Sequence, residues 1–212
     1  MSTLKQDKGR GLRRGAFTLI ELLSVVAIIS LMTAITIPAV PALMQAGSLT
    51  SDGNQVADLA AVAHGYSLTH NVVTALVAVT NLPSQPTTDY RAFIILQCGS
   101  NGQWTPLTSW VQLSTGDEMS STAACINGGT PFSTSTGAYP NVSQNFPSLT
   151  LNGLNVSLNT AGSCCYQLFL PDGRMDASSN PIVLRLQSIR GPSNHYDLIF
   201  NPNTGTAQID RS

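Results

Sequence analysis

The sequence has few charged side chains: Asp, Glu, Lys and Arg make up only 10% of its 212 residues. A typical soluble domain has about 25%. Ser, Thr, Asn, Gln and Gly take their place, which predicts a polar but nearly uncharged surface. The formal net charge is −1. Because binding to nucleic acid needs a basic surface that neutralises phosphates, this composition excludes a DNA- or RNA-binding function.

Lysine is missing after the first eight residues, and the remaining charges are unevenly distributed. Residues 1–14 carry five basic side chains and one acidic side chain, a net charge of +4. Residues 15–212 carry five basic and ten acidic side chains, a net charge of −5. This asymmetry predicts that the basic segment is a separate leader outside the folded domain.

Charge is absent altogether between Leu22 and Ser51, and the chain is strongly apolar as far as Met44. About 20 apolar residues in a helix are enough to cross the hydrocarbon core of a bilayer. The pattern predicts a membrane-spanning helix over residues 17–44. The positive-inside rule then places the basic leader in the cytoplasm and residues 45–212 on the periplasmic side of the inner membrane.

Glu21 stands at the head of this apolar segment. A carboxylate at the centre of a bilayer costs about 2.5–3.5 kcal/mol, so a plain anchor or signal sequence would gain by losing it. An acidic residue in such a place indicates a function and needs a cationic partner. Cleavage of the chain just before Phe17 would create such a cation, an α-amino group that could pair with Glu21 of a neighbouring chain.

Residues 13–23 read RRGAFTLIELL, and this run resembles the processing motif of type IV prepilins and type II secretion pseudopilins. The resemblance implies that a membrane aspartyl prepilin peptidase cuts the bond between Ala16 and Phe17. The peptidase would remove the leader, residues 1–16, and N-methylate Phe17. Glu21 would then serve in subunit assembly.

The position of the cut departs from the family pattern at one residue. The family usually has Gly before the scissile bond, whereas this chain has Ala16 there and Gly15 one residue earlier. Cutting before Phe17 makes Glu21 the fifth residue of the mature chain and Pro38 the twenty-second. Both are positions where pilins commonly have these residue types, so the Ala16–Phe17 bond is favoured over a cut after Gly15.

Beyond the apolar segment, apolar residues recur at helical spacing over about residues 45–70, which predicts an amphipathic helix. Pro38 and Pro41 predict a kink at the junction with the segment before it. Asn71 is suited to a left-handed helix stop. The predicted strands lie at residues 72–79, 90–97, 110–113, 154–158, 165–170, 182–187, 196–200 and 206–210.

Between these strands, residues 114–148 predict a long loop, and turn residues at 171–173 and 201–205 predict tight turns. A long helix followed by many short strands indicates an α+β fold in which the helix packs on an antiparallel sheet. Pilin-like subunits have this architecture.

Three stretches of the outer region, residues 56–79, 90–113 and 169–174, are similar to minor pseudopilins of the H type. Within that group, residues 49–50 and 103–107 resemble the Verru-Chthon cassette protein D family. The resemblance implies a structural subunit of a type II secretion pseudopilus or a type IV pilus. Its partners would be the prepilin peptidase, other pilin or pseudopilin subunits and the inner membrane.

The four cysteines allow several disulfide arrangements. Cys164 and Cys165 are adjacent, so in a strand they would point to opposite faces. Cys98 and Cys125 could each meet one of them, or a single bridge could form and leave two free thiols. A bridge between Cys98 and Cys125 would close the neck of the long loop.

The sequence predicts no catalytic residue, no metal site and no cofactor. It contains no Cys-x-x-Cys pair, no His pair at metal-ligand spacing and no phosphate-binding or dinucleotide fingerprint. Asp117 and Glu118 are predicted to be solvated on the long loop. The competing hypotheses are a binding module tethered by its span and a secreted domain released by a conventional signal peptidase near residues 40–42.

Overall fold

The computed structural model describes residues 18–36, 39–80, 89–120, 130–131, 142–160, 163–176, 181–189 and 191–211. The chain divides into two compact units, Met1–Leu43 and Met44–Ser212. Within the described residues two helices come first, α1 over Leu19–Thr36 and α2 over Ala39–His70. The strands follow them along the chain.

Helix α1 exposes its large apolar side chains on every side. Their exposed fractions run from 49% at Val25 to 84% at Leu19. Among the helices of the described ranges, none combines the length and the apolar character that crossing a membrane requires. The predicted membrane span over residues 17–44 is therefore not supported.

Helix α2 confirms the predicted amphipathic helix and begins earlier than expected. Pro41 lies in its first turn, where the missing N–H leaves no hydrogen bond of the helix unmade. The helix ends at His70, and Asn71 adopts the left-handed conformation with a φ of 54°, as predicted. The N–H of Val72 then donates to the carbonyl oxygen of Ser67 at 3.3 Å.

The described strands form two five-stranded sheets and one hairpin. The strand bounds are β1 Thr74–Val79, β2 Ala92–Cys98, β3 Trp104–Pro106, β4 Val111–Gln112, β5 Asp117–Met119, β6 Thr130–Pro131, β7 Ser148–Leu151, β8 Leu154–Ser157, β9 Cys164–Phe169, β10 Ile182–Ser188, β11 Gly191–Phe200 and β12 Ala207–Arg211. The first sheet has the order β3-β2-β1-β9, with β4 also paired to β2. The second has the order β12-β11-β10-β5, with β6 also paired to β10.

The α+β class is confirmed, and the arrangement of strands differs from the single antiparallel sheet that was predicted. All described strand pairs are antiparallel except β6 with β10, which is parallel. The predicted loop over residues 114–148 contains β5 and β6, and β7 begins at its end. Strands β3, β5 and β6 are two or three residues long and are mostly polar or contain proline, so their sequences have no apolar alternation that would predict a strand.

The second compact unit, Met44–Ser212, is called the folded unit below. It has two apolar cores, one on each face of the first sheet. The first core joins α2 to both sheets and includes Leu49 and Val56 of the helix. The second core lies between the first sheet and the β7–β8 hairpin and includes Trp104 and Phe146. Strand β1 is buried along its whole length because it contacts both cores, which explains its nearly continuous apolar sequence.

Candidate assembly site

Thr18 and Glu21 form a reciprocal cap at the start of α1. The N–H and the hydroxyl of Thr18 donate to Oε2 of Glu21 at 3.1 and 3.0 Å, and the N–H of Glu21 donates to Oγ1 of Thr18 at 3.3 Å. This is a capping box, in which two side chains satisfy N–H groups that the helix itself leaves free. Glu21 therefore has a local structural role that the predicted pairing between chains did not consider.

The sequence contains the signal for this cap, since Thr18-x-x-Glu21 directly before an apolar run is the capping-box pattern. The other residues of the predicted processing site lie outside the described residues: Ala16, Phe17 and Pro38 all fall there. The predicted cut, the N-methylation and the pairing of Glu21 with an amine therefore stay predictions. Helix α1 ends at Thr36 and α2 starts at Ala39, on either side of Pro38.

The cysteine pair in β9 behaves as predicted, because Cys164 belongs to the second core and Cys165 packs against the first. Burial raises the pKa of Cys164 to about 12 and that of Cys165 to about 11. Burial also raises the pKa of Cys98. The three described cysteines are free thiols, and a raised pKa lowers the fraction of reactive thiolate at neutral pH.

The sheet register excludes a bridge from Cys98 to either cysteine of β9. Cys164 lies opposite Val79 at one end of β1, whereas the N–H of Cys98 donates to the carbonyl oxygen of Val73 at the other end. Six residues of strand separate these ends by about 20 Å, and a disulfide needs Cα atoms within about 7 Å. This part of the disulfide prediction is wrong, and Cys125 lies outside the described residues.

A close approach between α2 and β11 holds the helix on the second sheet. A Cβ atom added to Gly53 would overlap the ring of Tyr196, so the ring lies directly on the glycine. The hydroxyl of Tyr196 donates to Oδ1 of Asn54 at 2.7 Å, and the Tyr196 side chain is buried. Glycine is the one residue type that lets a ring approach a helix backbone this closely.

His64 connects the later part of α2 to two turns. Its Nε2 lies 3.1 Å from the carbonyl oxygen of Gly173, in the predicted turn at residues 171–173. Gly205, with a φ of 65°, lies against the same histidine, since an added Cβ would come within 2.7 Å of its ring. Both predicted turns are confirmed, and His64 has a packing role between them.

Polar groups buried between α2 and the β4–β5 turn were missed by the sequence analysis. Asp52 accepts bonds from the N–H and the hydroxyl of Ser114 at 2.6 and 2.9 Å. Asp117 accepts a bond from the hydroxyl of Ser48 at 2.7 Å. Asp117 was predicted to be solvated, and that prediction is wrong because its side chain is 1% exposed. The long-range contact with α2 left no pattern around residue 117.

Another buried carboxylate lies on the second sheet. Asp197 of β11 accepts two hydrogen bonds from Arg185 of β10, each at 2.8 Å. His195 lies 3.7 Å from the same carboxylate. The described residues include no group of three or more His, Cys, Asp or Glu side chains that could hold a metal ion.

The solved structures that resemble this chain include two structures of the minor pseudopilin EpsH from the type II secretion system of Vibrio cholerae. The first is 8% identical, and the match covers 78% of this chain and 96% of the EpsH chain. The second is 12% identical, and the match covers 77% of this chain and 93% of the EpsH chain. The TM-score is 0.43 for both, a likeness too low to establish a shared fold or function. No protein-family model matches the sequence, and no curated protein matches it either.

Proposed function

We propose that this chain is a minor pseudopilin-like structural subunit that assembles with similar subunits through its N-terminal helix. In this proposal the prepilin peptidase cuts between Ala16 and Phe17 and methylates the new N-terminus. The leader faces the cytoplasm before the cut, and the folded unit lies in the periplasm. The subunit then leaves the inner membrane and enters a type II secretion pseudopilus or a type IV pilus.

The observation that carries the proposal is the exposure of α1. All of its large apolar side chains from Leu19 to Met32 are about half exposed or more. An apolar surface of this size rarely stays in contact with water. Lipid would cover it before assembly, and helices of neighbouring subunits would cover it afterwards. The folded unit does not need α1 for its own core, since the described members of both cores lie beyond it in the chain.

The position of Glu21 gives the second support. Its carboxylate lies at the head of the apolar helix. The motif of residues 13–23 predicts a new N-terminus at Phe17, four residues before Glu21. Pairing with the amine of a neighbouring subunit would neutralise two charges inside an apolar filament. Buried polar pairs of this kind set the register of packed helices in other assemblies.

The cut is tested by the intact mass and the N-terminal sequence of the chain, expressed with and without a prepilin peptidase. We expect a chain that starts at N-methylated Phe17 only when the peptidase is present. An Ala16→Gly variant restores the usual family residue and should be cut at the same bond. A start near Leu43 would indicate a secreted domain, and an uncut chain beginning at Met1 would indicate a tethered module. Either result would overturn the proposal.

The two roles of Glu21 are separated by a pair of variants. Glu21→Gln keeps a residue that the capping box accepts but removes the charge, whereas Thr18→Ala removes the cap and keeps the charge. If Glu21 pairs with an amine of a neighbour, Glu21→Gln should be cut normally and enter filaments poorly, while Thr18→Ala assembles nearly as well as the parent. The measurement is the ratio of subunit in sheared filaments to subunit in membranes.

The reverse result would contradict the pairing. Normal assembly of Glu21→Gln together with poor assembly of Thr18→Ala would mean that the carboxylate acts through the cap alone. Loss of cleavage in either variant would appear in the intact mass, so failed processing cannot be mistaken for failed assembly.

A further inference from the structure

Two buried carboxyl groups lie close together where Ser48 and Asp52 of α2 contact the β4–β5 turn. Asp52 is 4% exposed and Asp117 is 1% exposed. Burying two ionised carboxylates side by side is strongly unfavourable, so such pairs tend to keep one proton between them. Hydrogen bonds from Ser48 to Asp117 and from Ser114 to Asp52 bring the two carboxyl groups close together.

The hydrogen bonds around the pair assign different roles to the two groups. Asp52 accepts two bonds from Ser114, one from the N–H and one from the hydroxyl. Asp117 accepts one bond, from Ser48. Burial, followed by the effect of the neighbouring Asp52, raises the pKa of Asp117 above its ordinary value. Asp117 therefore takes up a proton more readily than an ordinary Asp side chain does.

The charged groups that face Asp117 from the described elements are Asp52 on α2 and Arg91 just before β2. The guanidinium of Arg91 donates to the backbone carbonyls of Asp117 and Leu113 at 3.1 and 3.0 Å. Its charge lowers the pKa of Asp117 less than burial raises it. Glu118 lies next in the chain, and its Oε1 accepts a bond from Gln187 at 3.1 Å.

We propose that Asp52 and Asp117 share one proton and, with Ser48 and Ser114, form an acid-stabilised latch that ties α2 to the β4–β5 turn. Two residues of α2 face two residues of the β4–β5 turn. Ser48 and Asp52 lie one helical turn apart, and Ser114 and Asp117 lie within one turn of the chain. Protonated Asp117 donates to the Asp52 carboxylate, which also holds Ser114. Loss of the proton places two negative charges together and weakens the latch.

The direction of the pH effect follows from the raised pKa of Asp117. The folded state binds the proton more tightly than the unfolded chain does, so protonation favours folding. This contribution is complete below the ordinary Asp value of about 3.9 and is lost as the pH rises through the raised value of the folded state. The folded unit should therefore lose stability in that window as the solution becomes less acidic.

The test uses the full-length chain in detergent and compares it with Asp117→Asn and Asp58→Asn. Asparagine at residue 117 can donate to Asp52 at any pH and so imitates the protonated latch. Asp58 is an exposed carboxylate on the same helix, so its variant matches the change in charge. Chemical unfolding is measured from mildly acidic to neutral pH. As the pH rises, the free energy of unfolding of Asp117→Asn should increase relative to that of the parent. Asp58→Asn should follow the parent.

Hydrogen exchange at the Ser114 amide reports on the latch itself. The measured rates are corrected for the intrinsic pH dependence of exchange. For each unit by which the pKa of Asp117 is raised, the protection factor of the Ser114 amide in the parent should then fall about tenfold from the protonated to the ionised latch. Protection in Asp117→Asn should stay constant. Parallel unfolding profiles of the parent and Asp117→Asn, or Ser114 protection that does not change with pH, would overturn the proposal.

If Asp117→Asn fails to fold, the parent protein alone decides the question. The side-chain carboxyl carbon of Asp117 can be followed by NMR through the titration. A midpoint at or below the ordinary Asp value would overturn the latch, and a raised midpoint would support it. Asp52→Asn should move that midpoint back towards the ordinary value, because the neighbouring negative charge is then gone.

Discussion

Helices α1 and α2 follow each other in the chain, yet their apolar side chains have opposite surroundings. Large apolar residues of α1 are exposed on all sides, whereas Leu49, Val56 and Leu59 of α2 are buried in the first core. The difference is already present in the two sequences. Helix α1 is apolar around its whole circumference, but α2 mixes apolar and polar residues at helical spacing.

An apolar face and an apolar circumference have different consequences for a helix. A helix that is apolar on one face can bury that face against its own domain. A helix that is apolar all round has more surface than one domain face can cover, so it needs lipid or other chains. The same residue type should therefore matter for folding in α2 and for assembly in α1.

The largest expected effect separates folding from assembly. Leu49→Ala removes a side chain that is 1% exposed, and we expect it to lower the free energy of unfolding by about 2–5 kcal/mol. Leu22→Ala removes the same group from α1, where it is 63% exposed. It should change that free energy by less than about 0.5 kcal/mol. Denaturant unfolding, followed by the fluorescence of Trp104, checks both. Equal losses would mean that α1 belongs to the folded core.

The next effect concerns two glycines of α2 with different neighbours. A Cβ at Gly53 would overlap the buried Tyr196 ring, so Gly53→Ala should destabilise the folded unit by about 1–3 kcal/mol. Nothing lies within 4 Å of the corresponding atom at Gly47. Gly47→Ala should therefore stabilise the helix by about 0.5–1 kcal/mol. Thermal unfolding of the two variants should shift in opposite directions, and shifts of the same sign would contradict the close packing of Tyr196.

The smallest effect concerns the end of α2. Asn71 has a positive φ of 54°, which glycine tolerates and alanine resists. Asn71→Ala should lower the free energy of unfolding by about 1 kcal/mol. Asn71→Gly should leave it within about 0.5 kcal/mol of the parent. Denaturation midpoints measured side by side check this, and a harmless alanine would mean that the helix end tolerates another conformation.

Much of the local structure could be predicted from the sequence because its causes are local. The amphipathic spacing of α2, the left-handed stop at Asn71 and the turn at residues 171–173 depend on residues close together in the chain. The opposite faces of Cys164 and Cys165 follow from strand geometry alone. The capping box of Thr18 and Glu21 was equally local, and its pattern was present in the sequence but was not interpreted.

The candidate site was predicted only in part, because the missing contacts connect distant residues. Asp117 is buried by groups of α2 that lie about 70 positions earlier, including Ser48. Nothing next to Asp117 in the sequence distinguishes it from a solvated loop residue. The same holds for Arg185 and Asp197, whose pairing required the register of β10 with β11.

Periodicity and turn chemistry act over a few residues, so the sequence alone predicts where the helices and most strands lie and which helix is apolar all round. Only the folded chain shows that β9 pairs with β1, that the strands divide between two five-stranded sheets and that Cys98 lies far from Cys164. Strand order depends on hydrogen bonds between backbone groups, which are the same in nearly every residue. A strand's sequence therefore indicates how deeply it is buried and does not specify its neighbour.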